Sequence, residues 1–136
     1  MKIELSLKIR NAMKSRDFYS ALGIEWLRGE NEFVDFEEYD DGNMGLPDLL
    51  GKIDQTIISF FIDNQIVMNT NHFPLMVIHP ISINEFNGII SKLRYLKLYS
   101  NCSNTESPYE EMLLDPDGYR IAICPINPFT DLGINL

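Results

Sequence analysis

Hydrophobic and polar residues alternate strictly over residues 2–10, with Ile3, Leu5, Leu7 and Ile9 on one face and Glu4, Ser6, Lys8 and Arg10 on the other. A period of two is that of a β-strand with one buried face. From Asn11 the period changes: Ser15, Phe18, Tyr19 and Leu22 fall on one helical stripe, and Gly23 stands where a left-handed cap would end a helix. Residues 24–28 and 32–38 then read as strands, turning at Gly29-Glu30-Asn31. Residues 40–51 hold Gly42, Gly45, Pro47 and Gly51 and read as an irregular excursion. A further strand over 55–62 is rich in β-branched and aromatic residues.

After Asn71 the pattern starts again. Residues 72–78 read as a strand, and Ser82-Ile83-Asn84-Glu85 matches a capping box ahead of Phe86, Ile89, Ile90 and Leu93, which share one helical face. Strands are expected at 96–100, 109–114 and 119–124, the last two joined by the turn Asp115-Pro116-Asp117-Gly118. Both halves therefore run strand, helix, strand, strand, strand. An offset of 68 residues, half of the 136, places Glu4 on His72, Leu7 on Leu75, Ile9 on Val77 and Phe18 on Phe86. The repeat is one of pattern, with few identities.

A length of 136 residues predicts one domain with its own core: a first module over about 1–64, a second over about 71–125 and a tail over 126–136. The apolar runs are too short to span a membrane, and residues 1–4 show no export signal, so a cytoplasmic protein with Cys102 and Cys124 as reduced thiols is expected. The net charge of −9 argues against nucleic-acid binding. Seven of the 20 carboxylates crowd between Glu30 and Asp41. A solvated strand edge explains them; a negative wall attracting a cationic ligand is the sharper reading.

Three motifs carry a family resemblance. Asn11 and Phe18-Tyr19-Ser20-Ala21-Leu22-Gly23-Ile24 resemble the D-x6-F-Y-x-x-L-G-F helix of the vicinal-oxygen-chelate superfamily. That superfamily includes glyoxalase I, bleomycin-resistance proteins, fosfomycin-resistance enzymes and extradiol dioxygenases. Leu114-Asp115-Pro116-Asp117-Gly118-Tyr119-Arg120-Ile121-Ala122-Ile123 resembles its closing hairpin and strand, and His72-x-x-Leu75-x-Val77 its second-half opening. The resemblance spans nearly the whole chain except 40–54 and the tail. It implies an α+β fold of two tandem βαβββ modules, whose curved mixed sheet surrounds a cup with helices on the convex side.

Metal-using members of that superfamily take ligands from the first and last strands of each half. Carried over, those positions fall on Glu4, on His72, on the strand at 55–62, where Ser59 and Gln55 are the polar candidates, and on Ala122, which has no donor. Zinc, iron or manganese catalysis needs at least three protein ligands and an open position. Only Glu4 and His72 qualify, so no cofactor is expected. In residues 32–38 the alternation puts Phe33, Asp35 and Glu37 on the face opposite Val34 and Phe36. With Trp26 they would give the cup an aromatic, anionic wall suited to an amine.

The expected function is binding or sequestration of a compact, possibly cationic molecule, in the manner of the bleomycin-resistance branch. Glu4, Trp26, Phe33, Asp35 and Glu37 would meet the ligand, and His72 and Arg120 would orient it. The same branch pairs its chains, which implies a homodimer. Two readings stand beside it. One is a divergent glyoxalase-like lyase, isomerase or dioxygenase, with a divalent metal on Glu4, His72 and a third ligand; the other is a structural or regulatory dimer with a vestigial cup.

Overall fold

The computed structural model describes residues 3–28, 46–65, 73–80, 82–102, 111–124 and Gly133. Among them the chain forms two helices and two mixed sheets, of four and three strands, divided between two compact units at residue 66. No helix among the described residues is long and apolar enough to cross a membrane.

The first unit opens with β1 (Ile3–Ile9), followed by α1 (Ala12–Ala21). The side chain of Asn11 caps α1 by accepting from the Lys14 N–H at 3.0 Å. At the other end Gly23 takes φ 91°, its N–H donates to Ser20 O, and the Ile24 N–H donates to Tyr19 O. This is a Schellman closure, with Tyr19 and Ile24 both buried beneath it. Three strands follow: β2 (Glu25–Arg28), β3 (Leu49–Ile53) and β4 (Thr56–Ile62). The sheet order is β1-β4-β3-β2, with β1 and β4 parallel and the other pairs antiparallel.

Residues 49–51 thus belong to a strand where an irregular excursion was expected. Gly51 sits mid-sheet between Trp26 and Ile58. A Cβ there would lie 2.6 Å from Ile24 Cδ1, so glycine is the residue the close packing admits. The strand expected at 32–38 lies outside the described residues.

The opening strand buries Leu7 and Ile9 as its alternation predicts, but Leu5 is half-buried and Ile3 is 59% exposed. The lengths explain the difference. A helix of 10 residues covers about 15 Å, whereas a strand of 7 extends about 23 Å, so one strand end outruns the helix.

The second unit repeats the topology with β5 (Met76–Ile78), α2 (Ile83–Tyr95), β6 (Glu111–Leu114) and β7 (Arg120–Ile123). Its order is β5-β7-β6, again with opening and closing strands parallel. Ser82 caps α2 by accepting from the Glu85 N–H at 3.1 Å, and Phe86, Ile89 and Leu93 are its buried stripe. Between β6 and β7, Asp115 Oδ1 accepts from the N–H groups of Asp117 (2.9 Å) and Tyr119 (2.8 Å), and Gly118 takes φ 85°.

Two boundaries differ from expectation. Strand β5 begins at Met76 and not at residue 72, because Pro74 has no N–H for a ladder; Leu75 donates to Arg120 O just ahead of it. Residues 96–100 do not form a strand, because Leu96 and Lys97 close α2. There the Lys97 N–H donates to Arg94 O and the Leu98 N–H to Leu93 O. The chain joins the sheet only at Asn101, bridged to Leu113. Lys97 holds φ 59°, a conformation that strains a side-chain-bearing residue. Lys97→Gly is therefore expected to raise stability by about 0.5–1 kcal/mol, read as a higher urea midpoint at unchanged slope.

Candidate functional site

Register sorts the first sheet into two faces. Leu5, Ile58, Gly51 and Trp26 stand side by side across the four strands, as do Leu7, Phe60 and Leu49. This face carries the helix: the Phe60 ring lies 5.0 Å from Tyr19 of α1, and Trp26 Nε1 donates to Ser20 Oγ at 2.9 Å. The other face, free of the helix, presents Glu4 and Ser6 from β1, Ile57, Ser59 and Phe61 from β4, and Leu50 and Lys52 from β3.

One bond organises the helix-free face. Ser59 Oγ donates to Glu4 Oε1 at 2.6 Å, a charge-assisted contact between two parallel strands. Ser59 is 1% exposed while Glu4 is open to solvent, so a buried hydroxyl steers an accessible carboxylate. Half-buried Ile57 and Phe61 flank the pair with apolar surface, and Lys52 meets Glu25 at 3.6 Å further along the sheet.

Glu4 therefore occupies the face that its alternation assigns. Trp26 does not share it. Its indole packs on the helix side, with the ring 5.7 Å from Phe60, where the hydrogen bond to Ser20 satisfies its N–H. Trp26 is a half-buried part of the core wall in place of the expected aromatic ligand surface. Phe33, Asp35, Glu37 and His72 lie outside the described residues.

In the second sheet, Tyr99 carries Arg94 of α2 over its ring at 4.1 Å and donates to Glu111, which marks the helix side. By register Arg120 pairs with Leu114, and Ala122 with Met112 and Val77, on the opposite face. Ala122 is fully buried and Arg120 half-buried. The Arg120 Nη1 group donates to Cys102 Sγ at 3.6 Å, and the thiol donates to Met112 O at 3.2 Å. Cys102 is thus a neighbour of Arg120. Cys102 and Arg120 stand 18 positions apart in the chain, and the contact depends on the bridge at Asn101. His79 Nδ1 lies 3.0 Å from Cys124 O, at the end of β7.

No protein-family model matches the sequence, and no curated protein matches it. Solved structures do. A glyoxalase/dioxygenase from Nostoc punctiforme superposes with a TM-score of 0.60 at 19% identity, over 93% of this chain and 92% of that one. A glyoxalase family protein from Enterococcus faecalis gives 0.56 at 17% identity, over 90% and 95%. The bleomycin resistance determinant encoded on transposon Tn5 gives 0.53 at 13% identity, over 90% and 95%. The chain has the vicinal-oxygen-chelate fold. Identities this low establish the fold and leave the activity to the residues themselves.

Metal-using members of the vicinal-oxygen-chelate fold set a test for those residues. The Ser59 hydroxyl keeps its proton to bond Glu4, and Ala122 offers a methyl group. The described residues contain no group of three or more His, Cys, Asp or Glu side chains placed to hold an ion. Among the described residues the carried-over positions supply one ligating side chain, Glu4, where zinc, iron or manganese catalysis needs three. A concavity of about 200 Å³ does lie in the second unit, between Lys97, Tyr99, Ser100, Leu114 and Asp115. It is smaller than typical ligand pockets, which leaves the helix-free sheet faces as the stronger candidates.

Proposed function

We propose that this chain binds a compact organic molecule on the helix-free faces of its sheets and holds it without a resident metal. The Glu4–Ser59 pair carries this reading. Two positions that the resemblance assigns to metal ligands are occupied by a carboxylate and the hydroxyl that donates to it. A carboxylate oriented by a buried donor and open on its other lone pairs accepts hydrogen bonds from a ligand with little further ordering. Ile57, Phe61 and Leu50 supply the apolar contact area around it. The mechanism is capture: apolar burial provides affinity, and the placed polar groups provide selectivity.

A thermal-shift screen of small molecules tests the reading, since any ligand preferring the native state raises its melting temperature, by about 2.7 kcal/mol of stability at 100 times Kd. A saturable stabiliser is expected, and Glu4→Gln should weaken it about tenfold. A broad screen with no stabiliser contradicts the proposal. We also expect a homodimer, by the same resemblance; a sedimentation mass that stays monomeric as concentration rises excludes it.

A further inference from the structure

The cleft of the second unit is built from other residues than the Glu4–Ser59 face. It lies where the end of α2 meets the turn between β6 and β7, and it has a volume of about 200 Å³. Leu98, Leu114 and Pro116, all half-buried, give it apolar walls. The exposed residues Lys97 and Ser100 add an ammonium and a hydroxyl. Asp115 also lines it, but this carboxylate is 4% exposed and its Oδ1 accepts from two backbone N–H groups. Apolar walls with a few placed polar groups are the makeup of a small-molecule site, and a cavity of about 150 Å³ already holds a benzene ring.

Charge and backbone both single out Lys97. From residue 86 to residue 105 the chain carries Lys92, Arg94 and Lys97 and no carboxylate, in a molecule of net charge −9. Lys92 and Arg94 lie in the last turn of α2 and meet the negative end of its dipole. Arg94 also lies over the Tyr99 ring at 4.1 Å, which brings a second cation to a residue of the cleft wall. Lys97 follows the helix, and among the described residues it forms no ion pair. Yet it holds φ 59°, where glycine is the less strained choice. A cationic side chain in a strained conformation beside a cleft points to ligand contact.

We infer that this cleft binds a small organic acid, with its carboxylate at Lys97 and Ser100 and its apolar body against Leu98, Leu114 and Pro116. One accessible cation matches the single charge of a carboxylate, and the apolar walls favour a hydrocarbon body over a bare inorganic anion. The volume limits that body to about one ring. The site lies within the second unit alone and stands whether or not the Glu4–Ser59 face holds a ligand.

NMR titrations of the nitrogen-15-labelled chain with benzoate, its neutral isostere benzamide and the cation benzylamine test the assignment. Benzoate is expected to move the amide signals of Leu98, Ser100 and Gly118 saturably, and to bind about fivefold tighter than either other compound. Lys97→Gly and Lys97→Asn, which both suit a positive φ and remove the charge, should each weaken benzoate about fivefold. Both relieve backbone strain, so a misfolded chain does not account for the loss. Equal affinity for benzamide or benzylamine overturns the acid site, as does native-like benzoate binding by either variant. No saturable shift at those three amides also overturns it, and benzoate shifts confined to β1 and β4 would do so while leaving the Glu4–Ser59 face as the binding surface.

Discussion

Replacing Phe60 with alanine is expected to destabilise the chain by about 3–5 kcal/mol, measured by urea unfolding. Phe60 is fully buried, stands between Leu7 and Leu49 in the sheet, and sets its ring against both Tyr19 and Trp26. Tyr19 in turn meets Phe18 edge-on at 5.1 Å. Truncation removes the transfer free energy of one aromatic ring and leaves a void that a helix and three strands close only in part. The side chain is the hub where α1 meets its sheet. A loss below about 1 kcal/mol would mean that this helix is not seated on β4 as described.

Ala122→Glu is the second large effect, expected to cost about 3 kcal/mol or more at neutral pH, because it forces a long, ionisable side chain into a position with no exposed surface. Ala122 is fully buried between Val77 and Met112, so the new side chain must both overpack the site and bring a charge into it. Burial disfavours the ionised form and raises the folded-state pKa of the introduced Glu above its unfolded value. The unfolded state then binds fewer protons, and stability rises as pH falls through the folded-state pKa. The penalty is therefore largest at neutral and alkaline pH and shrinks under acid. Unfolding curves across that range check the sign. If zinc or manganese abolished the penalty, the remaining ligands of a metal site would be present after all.

Much of this fold is legible in the sequence because its signals are local. The alternation of β1 at Leu7 and Ile9, the Ser82 cap, the Gly23 closure and the Asp115 turn each depend on residues within a few positions of one another, and each forms as expected. What is not legible is non-local. Gly51 looks like a loop residue until Ile24 is placed against it, and only then does glycine in a strand make sense. The direction of Trp26 follows from its pairing with Gly51 and from a break in register before Arg28, neither of which alternation over a four-residue strand can supply.

The site divides the same way. Glu4 is readable as a polar residue on the helix-free face, since its neighbours Leu5 and Leu7 phase the strand. Its partner is not readable, because Ser59 lies 55 positions after Glu4 and only the parallel register of β1 and β4 brings them together. Arg120 is readable as a candidate ligand-facing residue, but its contact with Cys102 is not, because that contact depends on the bridge at Asn101.

Ligand binding on the helix-free faces is proposed to need no metal. The direct measurement is the ligand-induced rise in melting temperature, recorded for one stabilising compound in buffer and again in excess EDTA. The same rise is expected in both, with nothing added by zinc, iron or manganese. A rise that vanishes in EDTA and returns with one of those ions, but is missing in His72→Ala, would contradict it.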